Sequence, residues 1–145
     1  MAIVWPQSLV PTYAPMLFLQ RRPAPPLDLY VESLWLCRAP HRARTLDRVQ
    51  PTGAPQLILN LAEDRTRAYE RRADRFDCRD SPGSILTGVT TRCQIIDTDE
   101  QEHVAGVAFR PGGTVPFIAG PASALRDVDV PLATLWGARG ICAVA

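Results

Sequence analysis

Short stretches in which apolar and polar residues alternate run through the middle of the chain, separated by turns rich in glycine, proline and acidic residues. A two-residue alternation puts successive side chains on opposite faces of a β-strand, so each stretch predicts a strand. The stretches cover residues 16–21, 56–61, 84–89, 92–98 and 103–110, and residues 66–71 are expected to return against 56–61 as a hairpin. Their recurrence about every ten residues predicts a mainly β fold, a barrel or sandwich of antiparallel strands.

Residues 27–36 carry two overlapping periodicities. The apolar residues at the start of the segment have helical spacing, whereas positions 31 to 37 alternate as in a strand. We therefore expect a short helix that passes into a strand near Glu32 to Arg38, with Trp35 in the core.

Several short elements are expected after the Pro-Gly-Gly sequence at residues 111–113. Pro121 and Pro131 would each occupy the first position of a short helix, where a missing N–H costs nothing. Residues 127–130 alternate as a short strand. Too few residues follow Trp136 for the second helix to bury a face.

These patterns give an expected domain organisation. Residues 1–15 hold three prolines without sustained periodicity, which predicts a flexible arm; an alternative is that Met16 is the biological start. A single domain is expected over residues 16–137, and residues 138–145 would be the truncated tail of a connector.

Composition narrows the function classes. The chain has 145 residues, 46% hydrophobic and 21% charged, which is typical of a globular domain and not of a disordered chain. The net charge of +1 gives no field that favours nucleic acid or an anionic membrane. All sixteen basic residues are arginines, and those between residues 65 and 80 alternate with acidic residues, which predicts a solvated surface.

The four cysteines have neither metal-site nor redox-motif spacing. Reduced, mostly buried thiols are typical of a cytoplasmic protein. The sequence also contains no secretory signal and no apolar run long enough to span a bilayer. We therefore expect a cytoplasmic protein without a membrane partner.

Candidate catalytic residues are sparse. The two histidines, His41 and His103, are far apart, so the closely spaced histidines of a cupin metal site are absent from the sequence. Asp97 and Asp99 form a carboxylate pair, but they are expected on a turn where water solvates both. Nucleophile and phosphate-binding motifs are also absent. We expect no enzyme, no metal and no cofactor.

Five sequence pieces, taken together, resemble the N-terminal sensor region of one branch of AraC-type bacterial transcription regulators. They are Tyr30-Val31-Glu32-Ser33-Leu34-Trp35, Pro51-Thr52-Gly53 before Leu57-Ile58-Leu59-Asn60-Leu61, Gly106-Val107-Ala108-Phe109-Arg110-Pro111-Gly112-Gly113, Gly120-Pro121-Ala122, and Leu135-Trp136-Gly137. The resemblance extends from about Met16 to Gly137. The sequence departs from the pattern at Thr52 and at Gln56, where the family usually has acidic residues.

The resemblance implies a cupin-like barrel that senses a small-molecule effector, mediates dimerisation, or does both. In such regulators a second domain with two helix-turn-helix motifs reads the promoter, so this chain would contact DNA only through a domain that it lacks. It would act as a homodimer or as a heterodimer with full-length relatives. The inward positions expected to touch ligand are Trp35, Leu57, Leu59, Leu86 and Phe109.

Two other interpretations remain open. A small cupin-like enzyme would need a converging polar or metal-binding cluster inside the barrel. A non-functional truncated fragment would expose Trp136 and the apolar residues after it, and would tend to aggregate.

Overall fold

The computed structural model describes residues 16–40, 45–72 and 75–137. The expected arm at 1–15, the expected connector tail at 138–145 and His41 lie outside these residues. Within the described residues no helix is long and apolar enough to cross a membrane.

The described residues form ten strands in two antiparallel sheets, with four short 3₁₀ turns and one α-helix. The strands are β1 (Leu17–Arg21), β2 (Val31–Arg38), β3 (Leu46–Val49), β4 (Gln56–Asn60), β5 (Thr66–Arg72), β6 (Arg75–Ser81), β7 (Ser84–Thr87), β8 (Gln94–Asp97), β9 (His103–Phe109) and β10 (Asp129–Pro131). The 3₁₀ turns cover Leu27–Leu29, Thr98–Gln101, Val115–Phe117 and Ala122–Leu125, and α1 covers Leu132–Trp136. The expectation of a mainly β fold is confirmed.

The larger sheet has the order β1-β2-β9-β4-β7-β10, and the smaller has the order β3-β8-β5-β6. The expected hairpin between β4 and β5 is wrong, because β4 pairs with β7 and β9 while β5 pairs with β6 and β8. The chain therefore crosses from the larger sheet to the smaller one after β4. It returns at β7, and this crossing places two sheets around a shared interior.

The main apolar core lies on one face of the larger sheet. Leu57, Leu86 and Phe109 project from neighbouring strands and pack with Leu125 and Leu132 of the C-terminal segment. Apolar residues that complete this layer are Val31, Leu59, Val107, Phe117, Ile118, Val130 and Leu135. The segment after β9 is thus an integral layer of the domain.

Helix α1 corrects the expectation that it could not bury a face. Leu132 is 3% exposed and Leu135 packs against the same cluster. Pro131 does not occupy the first helical position but caps the helix from an extended conformation, and Pro121 does the same for the 3₁₀ turn that follows it. Both prolines thus precede the helix instead of beginning it, and the first helical residues are Ala122 and Leu132.

The sequence motif at residues 109–113 stabilises the segment just before β2 through hydrogen bonds and close packing. Arg110 donates its backbone N–H to the Tyr30 carbonyl at 2.9 Å and its Nε–H to the Asp28 carbonyl at 2.8 Å. Gly113 lies against the same Tyr30 carbonyl, where a β-carbon would come within 2.0 Å of the oxygen. A side chain at position 113 would therefore collide with backbone, and the motif has a structural role.

Candidate small-molecule binding site

A cavity of about 120 Å³ lies between the two sheets, on the face of the larger sheet opposite to the apolar core. In the larger sheet Gln56 and Ile58 line it, whereas Leu57 between them points to the core. In the smaller sheet Gln94 and Ile96 line it from the other side. Successive residues of a strand face opposite sides, so one sheet serves both the core and the cavity.

Aromatic rings form one wall of the cavity. The rings of Phe18 on β1 and Trp35 on β2 lie 6.3 Å apart between centroids and are inclined by only 23°. Trp35 is opposite Gly106 of β9, and a β-carbon at that position would come within 2.3 Å of its indole ring. The absence of a side chain at Gly106 thus leaves the space that the indole ring occupies, and the ring adds a flat apolar surface to the cavity.

Uncharged polar groups supply the rest of the lining. They are the carboxamides of Gln50, Gln56 and Gln94 and the hydroxyls of Thr52, Thr66, Thr87 and Thr90. Two lining residues, Trp35 and Thr66, each carry a buried polar atom, the indole N–H and the hydroxyl, without a hydrogen-bond partner among the described residues. A buried polar group without a partner loses free energy relative to water, typically about 1–3 kcal/mol. Both atoms are shielded from solvent, so other atoms of these two residues face the cavity.

One ion pair, between Arg67 and Glu100, borders the cavity. Arg67 donates its backbone N–H to Glu100 Oε2 at 2.9 Å, and its guanidinium binds Glu100 Oε1 at 2.5 Å and Glu63 Oε1 at 3.1 Å. The Glu100 side chain is only 5% exposed. Burial raises the pKa of Glu100, and the hydrogen bonds and charge of Arg67 oppose that rise.

Local structure explains how Glu100 reaches this position. The Asp97 carboxylate accepts a hydrogen bond from the backbone N–H of Asp99 at 3.1 Å and so caps the 3₁₀ turn Thr98–Gln101. The turn folds Glu100 back onto β5. The expectation that Asp97 and Asp99 are both solvated is wrong for Asp97, which is 2% exposed because it holds this cap.

Residues 19–131 match the protein family described as Domain of unknown function (DUF6597). This match covers most of the chain. The chain belongs to the DUF6597 family. Neither the curated proteins nor the solved structures contain a significant match to it.

The five expected ligand-contacting residues of this DUF6597 domain are not brought together. Trp35 lines the inter-sheet cavity. Leu57, Leu86 and Phe109 lie in the apolar core on the other face of the sheet, and Leu59 packs against that core. These four residues, which were expected as inward positions of a barrel, are not among the residues that line the inter-sheet cavity, because their side chains face the core; their contact with a ligand stays a prediction.

Of the histidines and cysteines singled out in the sequence, Cys37 is the one described residue that lines the cavity. His103 lies at the start of β9 and is half-buried, next to a separate surface depression beside Arg38. Within the described residues no group of three or more histidine, cysteine, aspartate or glutamate side chains is arranged to hold a metal. Cys37 is buried at the cavity, whereas Cys78 and Cys93 are exposed.

The polar residues of the DUF6597 cavity were not predicted from the sequence. Gln56 and Gln94 each begin a strand whose next residues are apolar, so each looks like a boundary residue and not like part of an interior surface. Arg67 and Glu100 belong to charged stretches typical of solvent-exposed turns. The alternation of Gln56 and Ile58 with Leu57 is the one signal in β4 that separates the cavity face from the core face.

Proposed function

We propose that this DUF6597 domain is a small-molecule sensor of an AraC-type transcription regulator. The observation that carries the proposal is the inter-sheet cavity, whose lining combines an aromatic wall with the uncharged polar residues Gln56 and Gln94. Concave sites with mostly apolar walls and a few convergent polar groups are typical of ligand pockets. The cavity volume, about 120 Å³, is near the roughly 150 Å³ at which an apolar cavity binds a benzene-sized molecule.

The regulatory part of the proposal rests on the sequence resemblance to AraC-type sensor regions. In this proposal the domain acts in the cytoplasm, pairs with a second copy or with a full-length relative, and leaves promoter recognition to a helix-turn-helix domain. A ligand in the cavity would contact the same strands that carry the core, because β4, β7 and β9 contribute side chains to both.

The hydrogen bonds between the charged groups of the cavity favour a binding function over a catalytic one. Glu100, the carboxylate that lines the cavity, accepts hydrogen bonds from both the backbone and the guanidinium of Arg67. A general acid or base must be free to exchange a proton with substrate. The paired geometry supports a structural role for Glu100 and a binding role for the cavity.

A thermal-shift screen of metabolites tests the proposal, because a ligand that binds only the folded state raises the melting temperature. Each hit is then tested on Ile58→Phe, which adds bulk inside the cavity, and on Ala54→Leu, which narrows it from the loop before β4. The matched control is Leu34→Phe, which adds bulk at an exposed position of β2.

The proposal predicts hits whose thermal shift is lost in both cavity variants and kept in Leu34→Phe. Circular dichroism and the melting temperature without ligand establish that each variant is folded. A screen without hits, or hits whose shift persists in both cavity variants, would contradict the proposal.

A further inference from the structure

The charges around the inter-sheet cavity are already balanced within the protein. Arg67 and Glu100 are the charged side chains that line it, and they bind each other. Arg67 also contacts Glu63. An anionic ligand would have to compete with two carboxylates for this guanidinium, and a cationic ligand would compete with Arg67 for Glu100. Since desolvating an ionised ligand costs several kcal/mol per charge unless a partner is free, the cavity favours an uncharged molecule.

The walls favour a flat molecule. Phe18 and Trp35 present rings inclined by only 23°, and Ile58 and Ile96 line the cavity from the two different sheets. Aromatic rings bind best to other planar systems, in offset stacks or edge-to-face contacts. A saturated polyol would leave these apolar surfaces in contact with hydroxyl groups and gain little from them.

The polar groups favour a ligand edge that carries both a donor and an acceptor. Gln56 and Gln94 line the cavity from the two different sheets. A carboxamide offers an N–H donor and a carbonyl acceptor side by side, which pairs with two hydrogen bonds to an edge of the same kind.

We propose, resting on the proposed binding function, that the ligand is a small uncharged planar ring bearing a carboxamide or lactam group. Its ring packs on the Trp35 and Phe18 wall, and its amide edge pairs with Gln56 or Gln94. Carboxylate analogues of the same shape are rejected because Arg67 is neutralised by Glu100.

The experiment compares matched ligand pairs by isothermal calorimetry at neutral pH: benzamide with benzoate, and nicotinamide with nicotinate. Each pair has nearly the same shape, but one member carries an ionised carboxylate. We expect each amide to bind at least about tenfold more tightly than its carboxylate. A tenfold difference in affinity corresponds to the free energy of about one hydrogen bond to a charged group. Gln56→Leu and Gln94→Leu should each weaken amide binding several-fold, whereas Glu70→Leu, at an exposed position on β5, should leave it unchanged.

A further variant tests the charge argument itself. Glu100→Gln removes the more deeply buried of the two carboxylates that bind Arg67, so the preference for amide over carboxylate should shrink. Equal or tighter binding of the carboxylates to the unmodified protein would overturn this inference and leave the proposed binding function standing. So would a metabolite screen whose cavity hits are all charged or non-planar. A screen without any cavity hit would overturn both proposals.

Discussion

The indole ring of Trp35 lies so close to Gly106 on the neighbouring strand that a β-carbon at position 106 would come within 2.3 Å of Trp35 Cζ2. Gly106→Ala should therefore displace the ring that forms the cavity wall. We expect a loss of about 1–3 kcal/mol in the free energy of unfolding, as for other overpacked sites, measured by urea denaturation.

The double variant Trp35→Ala/Gly106→Ala is the control for this contact. With the indole removed, the alanine at 106 should cost clearly less than it does beside Trp35, so the two substitutions should couple in a double-mutant cycle. An equal cost in both backgrounds would show that the strain arises from the backbone and not from the ring.

Leu86 should behave as a core residue and not as a ligand contact. It is 1% exposed and packs between the larger sheet and the C-terminal layer. Leu86→Ala should lower the free energy of unfolding by about 2–5 kcal/mol. Leu19→Ala, at a position that is 52% exposed on the edge strand β1, should change it by less than about 0.5 kcal/mol. Similar costs at both positions would contradict the assignment of the core to this face.

The pH dependence of stability should report the burial of Glu100. Burial raises its pKa above the ordinary value of 4.5. The folded state therefore binds the Glu100 proton more tightly than the unfolded chain does. The resulting contribution to the free energy of unfolding is fully present below pH 4.5, and it is lost as pH rises through the pKa of the folded state. Glutamine does not titrate, so the unmodified protein should lose stability relative to Glu100→Gln over that window.

Denaturation curves of both proteins across the acidic range provide this measurement. Glu70→Gln, which removes a carboxylate at an exposed position on β5, is the control. A relative stability that instead rises with pH would mean that attraction by Arg67 outweighs burial.

Asp127 should give the opposite pH signature. Hydrogen bonds from the backbone N–H and the hydroxyl of Thr91, both at 2.7 Å, lower its pKa below the ordinary value of 3.8. The contribution of the ionised Asp127 carboxylate to the free energy of unfolding is therefore present above pH 3.8, and it is lost as pH falls through the pKa of the folded state. Asp127→Asn should be less stable than the unmodified protein at pH 7, and the difference should vanish in acid.

Asparagine is the suitable replacement because residue 127 has φ of 55°, a conformation that asparagine tolerates. The measurement is thermal denaturation from neutral pH into acid, with the exposed Asp47→Asn as control. A constant difference between the Asp127 variant and the unmodified protein at every pH would show that the carboxylate charge is not responsible.

The sequence predicts most of the larger sheet but not the phase of its strands. In β4 three successive apolar residues, Leu57, Ile58 and Leu59, remove the alternation that would show which side chains face inward. The physical reason is that both faces of this strand are covered, one by the C-terminal layer and the other by the cavity. A strand that is buried on both sides has no polar face to mark its orientation.

The smaller sheet is harder to predict. Strands β3 and β6, with the sequences LDRV and RFDCRDS, are charged and largely exposed, and they form the two edges of this sheet. Their pairing partners stabilise them as strands, whereas their own composition is typical of turns. The contact of Arg67 with Glu100 is likewise invisible in sequence, because it joins residues that lie 33 positions apart.

The most direct test of the account is the indole N–H resonance of Trp35 in a ¹H–¹⁵N spectrum, followed while a compound that raises the melting temperature is added. The chain has three tryptophans, and Trp35→Phe identifies the signal. Trp136 is an internal reference, since its indole N–H already donates to the Phe117 carbonyl at 2.6 Å. If the ligand binds in the inter-sheet cavity, the Trp35 signal moves and saturates with the affinity found by calorimetry while the Trp136 signal stays in place. A Trp35 signal that does not move when the compound is bound would contradict the assignment of the inter-sheet cavity as the binding site.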